Sequence, residues 1–260
     1  MADPMEQFEV KPVVEIAPVN VPGLGLVDLS ITNSTVAMFV AATIVVLFFA
    51  IVTASPRVVP GRLQVVGEGM FSFIDDLATG IIGSQGRAFF PFVFTLFIFI
   101  LAMNMLGMFT VFTATAQLAV ALTFALMTFL LVIVVGFAMH GLGFLKLFAP
   151  SGVPWYMLLF VVPIEVISFF LRPVTLSLRL FGNMLGGHVA MKVFAGFIVS
   201  LGAVASAGGV AYLAYVAAIL AFGGVLALTA LEFLVAFLQA FVFAVLTCVY
   251  LNDAVHAGDH

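Results

Sequence analysis

The stretch AFFPFVFTLFIFILAMNMLGMFTVFTATAQLAVALTFALMTFLLVIVVGFAM, residues 88–139, contains no charged side chain. About 20 apolar residues are enough for one helix to cross a hydrocarbon layer ~30 Å thick. The stretch is too long for one such crossing and too continuous for the alternating pattern of a membrane β-barrel. Its small and polar break, TATAQ at 113–117, predicts two spans, near 89–110 and 118–139. The composition agrees: 65% of the chain is hydrophobic and only 8% is charged. Soluble domains are nearer one quarter charged. The fold class is therefore an all-α polytopic membrane protein.

Working outward, Val36 to Ala54 is uncharged and forms another span, near 36–54, closed by Arg57, Pro60 and Arg62. Residues 63–82 differ. Gln64, Glu68, Ser72, Asp75, Asp76 and Thr79 recur mostly at steps of three and four, with Leu63, Val66, Met70, Phe73, Ile74, Leu77 and Ile81 opposite. That spacing predicts an amphipathic helix lying at the membrane surface, and Asp75 and Asp76 read as its solvated face. Residues 1–30 form an acidic, proline-punctuated tail, expected to be extracytoplasmic, and 31–260 a single membrane domain. The tail lacks the basic start of a secretory signal.

Two very long segments follow, near 155–200 and 211–252. At 1.5 Å per residue each exceeds the bilayer core about twofold. Each is either two spans or one steeply tilted helix. Counted once each, they bring the crossings to five. Arg57, Arg62 and Arg87 lie around the first long loop and Lys146 in the third, so the positive-inside rule puts those loops in the cytoplasm. The N-terminus is then outside and the C-terminus inside, with Lys192 an exception towards the outer end of its helix. Net charge is −4, which argues against nucleic acid as a partner. Cys248 is the single cysteine, which excludes an internal disulfide and is read as a packing residue. The histidines show no spacing for a metal or haem, and no cofactor is expected.

In the first long segment Glu165, Ser168, Arg172, Thr175, Arg179 and Asn183 step by three or four, which keeps them on one helix face. In the second, Glu232, Gln239, Thr247 and Tyr250 form a sparser stripe. An antiparallel hairpin turning at Gly208–Gly209 brings Glu165 level with Tyr250, Arg179 with Gln239, and His188 with Glu232. Arginine keeps its proton at any ordinary pH, whereas Glu and His exchange theirs. Titratable groups above and below a fixed cation make two half-paths with an electrostatic plug, not one continuous proton wire. Protons pass the plug only on a carboxylate carried by another protein. Blander readings stand beside this one. Glu165 and Arg172 form an interfacial pair; Ser168 and Thr175 satisfy backbone carbonyls; Thr247 packs; Pro163 and Pro173 bend the helix.

The motifs SLRLFGNMLGGH and LEFLVAFLQAFVFAVLTCVYLNDAVH resemble subunit a of the F-type ATP synthases, the stator proton channel of the membrane sector. The resemblance runs over nearly the whole chain. It implies that Arg179 is the essential arginine facing the ring of c subunits, that Gln239 is its neighbour on the last helix, and that Asn183 and Tyr250 match family positions. It implies an outer half-channel at His188 and Glu232, whose residue types are exchanged relative to many bacterial relatives, as in mitochondrial-like members. Thr115 and Gln117 are the polar groups on offer at the start of the third span, where the family often draws more. Glu165, Ser168, Arg172, Thr175 and Tyr250 are the candidates for a cytoplasmic half-channel. The two long helices are expected to lie steeply inclined around the rotor. The implied partners are the c ring, b-type peripheral-stalk subunits and the lipid of a bacterial inner membrane. The protein is then a non-catalytic channel subunit. Two readings compete: an ion-coupled secondary transporter, which calls for repeated halves and a central substrate site, with neither a repeat nor a substrate-sized polar cluster evident, and a structural scaffold that anchors other subunits.

Overall fold

A computed structural model describes residues 9–15, 19–21, 25–27, 30–54, 57–109, 113–149, 154–205 and 212–257. Six α-helices account for most of them: α1 (Asn33–Ala54), α2 (Arg62–Ile82), α3 (Gly86–Phe109), α4 (Leu118–His140), α5 (Trp155–Ala205) and α6 (Tyr212–Val255). Five helical stretches among the described residues are long and apolar enough to cross a membrane: α1, α2 with α3, α4 with the 3-10 turn after it, α5 and α6. Four short strands precede α1: β1 (Pro12–Val14), β2 (Val19–Val21), β3 (Gly25–Val27) and β4 (Ile31–Thr32). They pair antiparallel as β1 with β4 and β2 with β3. The acidic tail read from sequence therefore carries two small ribbons. The Asn33 side-chain amide donates to the Glu9 carbonyl at 2.9 Å and ties β1 to the start of α1.

In α2 the buried residues Ile74, Ala78 and Ile82 recur every fourth position, while Glu68, Ser72 and Asp76 are exposed. This amphipathic helix turns through Gly83–Gln85 into α3, against which it packs. The break at 113–117 does not simply loop outward. Thr113, Ala114, Thr115 and Ala116 are all nearly or fully buried, so the α3–α4 connection dips back into the bundle. Polar residues placed there need partners inside the protein, because lipid supplies none.

The question of length resolves in favour of single helices. α5 is continuous over 51 residues and α6 over 44. At 1.5 Å per residue they extend roughly 75 Å and 65 Å, far beyond an upright crossing. Pro163 and Pro173 sit inside α5 without ending it. The turn expected at Gly208–Gly209 lies outside the described residues. The antiparallel register is still visible, since cross-pairs run from Arg172 with Asp253 through His188 with Glu232 to Met191 with Thr229.

α6 is the central helix, packed against α2, α3, α4 and α5. Its sequence gives the reason. Ala236, Ala240, Ala244 and Cys248 recur every fourth residue and are completely buried. Small residues on one face let helix backbones approach closely, which is how helices associate where lipid removes the hydrophobic driving force. Larger side chains from the neighbours, among them Phe97, Ile100, Leu176 and Leu180, fill the remaining core.

Candidate functional site

The α6 stripe of small residues continues at its N-terminal end to Glu232, one turn before Ala236. The carboxyl group is thereby carried into the interface, where Glu232 is 3% exposed. His188 of α5, 6% exposed, faces it with Nε2 at 3.9 Å from Oε1. A Cβ at position 187 would stand 2.5 Å from Glu232 Oε1, so only glycine there leaves the carboxylate its place. Neither carboxylate oxygen has a hydrogen-bond partner among the described residues.

Other elements converge on this pair. Thr113, from the dipping loop, brings Oγ1 to 3.0 Å from His188 Nε2. Thr115 Oγ1 and Gln117 Nε2, from the same loop and its end, are buried without protein partners among the described residues. Asn104 of α3 is wholly buried and donates to the Ala236 carbonyl at 3.1 Å, its own Oδ1 left over. An unmet polar atom in a dry apolar setting costs several kcal/mol. Water is the usual partner for such atoms where space allows it. A cavity of about 260 Å³, lined by Asn183, Gly187, Glu232 and Val235 among others, has room for several molecules. Leu231 and Asn183 on its wall are exposed, so it reaches the surface of the chain.

A second ionic cluster lies at the other end of the α5–α6 pair. Arg172 bonds Asp253 at 2.9 Å and approaches Glu165 at 3.8 Å. Its guanidinium lies over the Tyr250 ring, 4.9 Å from the centroid, and 5.4 Å from that of Phe169. A planar cation suits such stacking. Arg172 thus touches both Glu165, two turns back along its own helix, and Tyr250 of α6. The void beside Arg172 and Tyr250 is only about 10 Å³, in contrast to the one at Glu232.

Between the clusters along α5 stands Arg179, exposed on the outside of the chain. Among the described residues it makes no ion pair. One turn on, Asn183 donates to Gln239 Oε1 at 2.8 Å. Gln239, expected level with Arg179, accepts this bond from Asn183, one turn further along the same helix. Ser168 is exposed, and Thr175 Oγ1 bonds the Leu171 and Arg172 carbonyls of its own helix. Neither joins the Arg172 network. Thr247 bonds the Phe243 carbonyl in the core.

Sequence reasoning missed Asp253, Asn104 and Thr113. Asp253 carried a signal, since it lies three residues beyond Tyr250 and so shares its side of α6. Asn104 is the one side-chain amide within the apolar run of α3, and Thr113 belongs to the polar break itself.

Ionisable groups set deep between long membrane helices, with unmet polar atoms around them, are the mark of a functional rather than a purely structural membrane protein. The chain belongs to the ATP synthase A chain family, whose model matches residues 35–252. Among its relatives, a protein of Mesorhizobium japonicum named ATP synthase subunit a is 50% identical over 98% of this chain and 96% of its own length. Proteins of the same name from Allorhizobium ampelinum and Maricaulis maris are 49% and 48% identical, each over 99% of this chain. The match covers 99% of the first and 100% of the second.

Proposed function

We propose that the chain is the proton-translocating stator subunit of a bacterial F-type ATP synthase. It sits in the inner membrane beside a ring of c subunits and is held by b-type stalk subunits. The N-terminal tail is extracytoplasmic, and the C-terminal end of α6 faces the cytoplasm. Catalysis of ATP formation belongs to other subunits.

The observation that carries this reading is the contrast between the two arginines. Arg172 is neutralised by Asp253 and Glu165 of its own chain. Arg179 is exposed with no acidic partner among the described residues. A cation held unpaired at membrane depth is expensive unless something else meets it. A rotor carboxylate supplies that partner. Beside Arg179 the carboxylate favours its ionised form, so it releases its proton before passing and takes up another afterwards. Neutral, it re-enters lipid at far lower cost than as an anion. Each proton falling through 100 mV supplies about 2.3 kcal/mol to bias that motion.

The wet region at His188 and Glu232 is then the outer half-path, with Asn183 and Gln239 bracing the helices beside the arginine. Glu165, Asp253 and Tyr250, gathered by Arg172, form the cytoplasmic half. Arg179→Ala in the complete synthase is the test. The complex is expected to assemble with proton-driven ATP synthesis abolished; normal synthesis by that variant overturns the reading.

A further inference from the structure

Thr113 sits on the α3–α4 loop, 4% exposed, with Oγ1 between two groups. One is the Gly107 carbonyl at 3.3 Å. The other is His188 Nε2 at 3.0 Å. A hydroxyl has one proton to give and two lone pairs to offer. Gly107 lies in the last turn of α3, where carbonyls lack an intrahelical donor. A carbonyl oxygen can only accept, so the single hydroxyl proton is committed to it. Thr113 must then accept from His188, and Nε2 is the ring nitrogen that carries hydrogen. The loop is shaped for this contact. A Cβ on residue 107 would stand 2.5 Å from Thr113 Cγ2 and 2.9 Å from Oγ1, so glycine lets the threonine close over the end of α3.

We propose that Thr113 is a positioning residue that fixes the tautomer of His188 with its proton on Nε2, the nitrogen facing Glu232. This rests on the proton-path reading above and adds to it. The choice of nitrogen matters because the two ring positions are distinct, and the partner of one decides which is protonated. Nε2 also stands 3.9 Å from Glu232 Oε1, beyond hydrogen-bond distance, so its N–H is bonded to the hydroxyl and turned towards the carboxylate's charge. The opposite tautomer would present a lone pair to both oxygens and repel the carboxylate. Lys192, one turn further along α5, is a cation and cannot accept a proton from the ring.

The test is ¹⁵N NMR of the assembled complex with labelled histidine, the His188 signals assigned by difference from His188→Gln. Wild type is expected to show a ring protonated at Nε2. Thr113→Val, which keeps the shape and removes the hydroxyl, is expected to lose that preference and to slow proton-driven synthesis about tenfold, the scale of one lost hydrogen bond. Thr113→Ser restores both. A wild-type ring protonated at Nδ1 alone overturns the proposal without recourse to any variant, and so does an unchanged tautomer in Thr113→Val. Glu232→Gln separates this from the reading beneath it: full synthesis in that variant sinks the proton path, while the tautomer measurement still judges Thr113.

Discussion

Arg179 and His188 leave α5 on opposite sides. They are about two and a half turns apart, which sets them on opposite faces of the helix. Arg179 is exposed, whereas His188 is buried against Glu232 and Thr113. The helix thus leaves a permanent cation exposed and keeps its titratable ring inside.

The first prediction concerns the plug. If Arg179 keeps a protonated carrier from passing, Arg179→Gln removes that barrier. Membranes bearing the membrane sector alone, stripped of its catalytic head, are then expected to leak protons faster than wild type under an imposed potential. Unchanged passive flux would show that the cation does not separate the two half-paths.

The Asn183–Gln239 bond joins α5 to α6 beside the arginine. Interhelical side-chain bonds in membranes are worth about 0.6 kcal/mol on average and seldom above 1.7. A double-mutant cycle with Asn183→Ala and Gln239→Ala, read by thermal unfolding in detergent, is expected to return a coupling of that order. Strict additivity would mean that the two amides do not hold each other.

Much of this architecture can be read along the chain, and the part that cannot has a physical reason. Apolar run lengths locate helices because every backbone group in lipid must be bonded within its own segment. The step of three or four places Glu165, Arg172 and Arg179 along one stripe. That periodicity does not tell which way the stripe turns towards α6. Rotation is set by the close-packed row of Ala236, Ala240, Ala244 and Cys248, and this row carries Glu232 inward with it. Depth matching put Gln239 level with Arg179, but it could not show that Asn183, one turn on, is the residue bonded to it. Asn104 was silent because its partner is the Ala236 carbonyl. A backbone group on a distant helix leaves no mark in the residues around the amide. Thr113 was hidden by its loop, which periodicity reads only as an interruption.

That row is itself testable. Ala240 is wholly buried where α6 meets its neighbours, and an added isopropyl group there meets filled space. Overpacking of a dense core typically costs about 1–3 kcal/mol. Ala240→Leu is expected to lower thermal stability and complex assembly, while Leu238→Ala, at a 44% exposed position on the same helix, changes either little. Equal effects from the two would remove α6 from its central place.

The last prediction separates a stabilising role from a conducting one at the Arg172 cluster. Side chains there are 20% exposed for Arg172, 31% for Asp253 and 36% for Glu165. Partly solvated pairs contribute little to stability, typically below about 1 kcal/mol. Asp253→Asn keeps the shape and a hydrogen-bond acceptor for Arg172 and removes the proton-accepting group. If the cluster serves proton exit, thermal stability is expected to stay nearly constant while proton-driven ATP synthesis falls severalfold. A change in stability with undiminished synthesis assigns Asp253 to holding α6 in place. Glu165→Gln, altering the weaker 3.8 Å contact, should perturb stability still less. A drop in synthesis from both variants then marks the two carboxylates as members of one path.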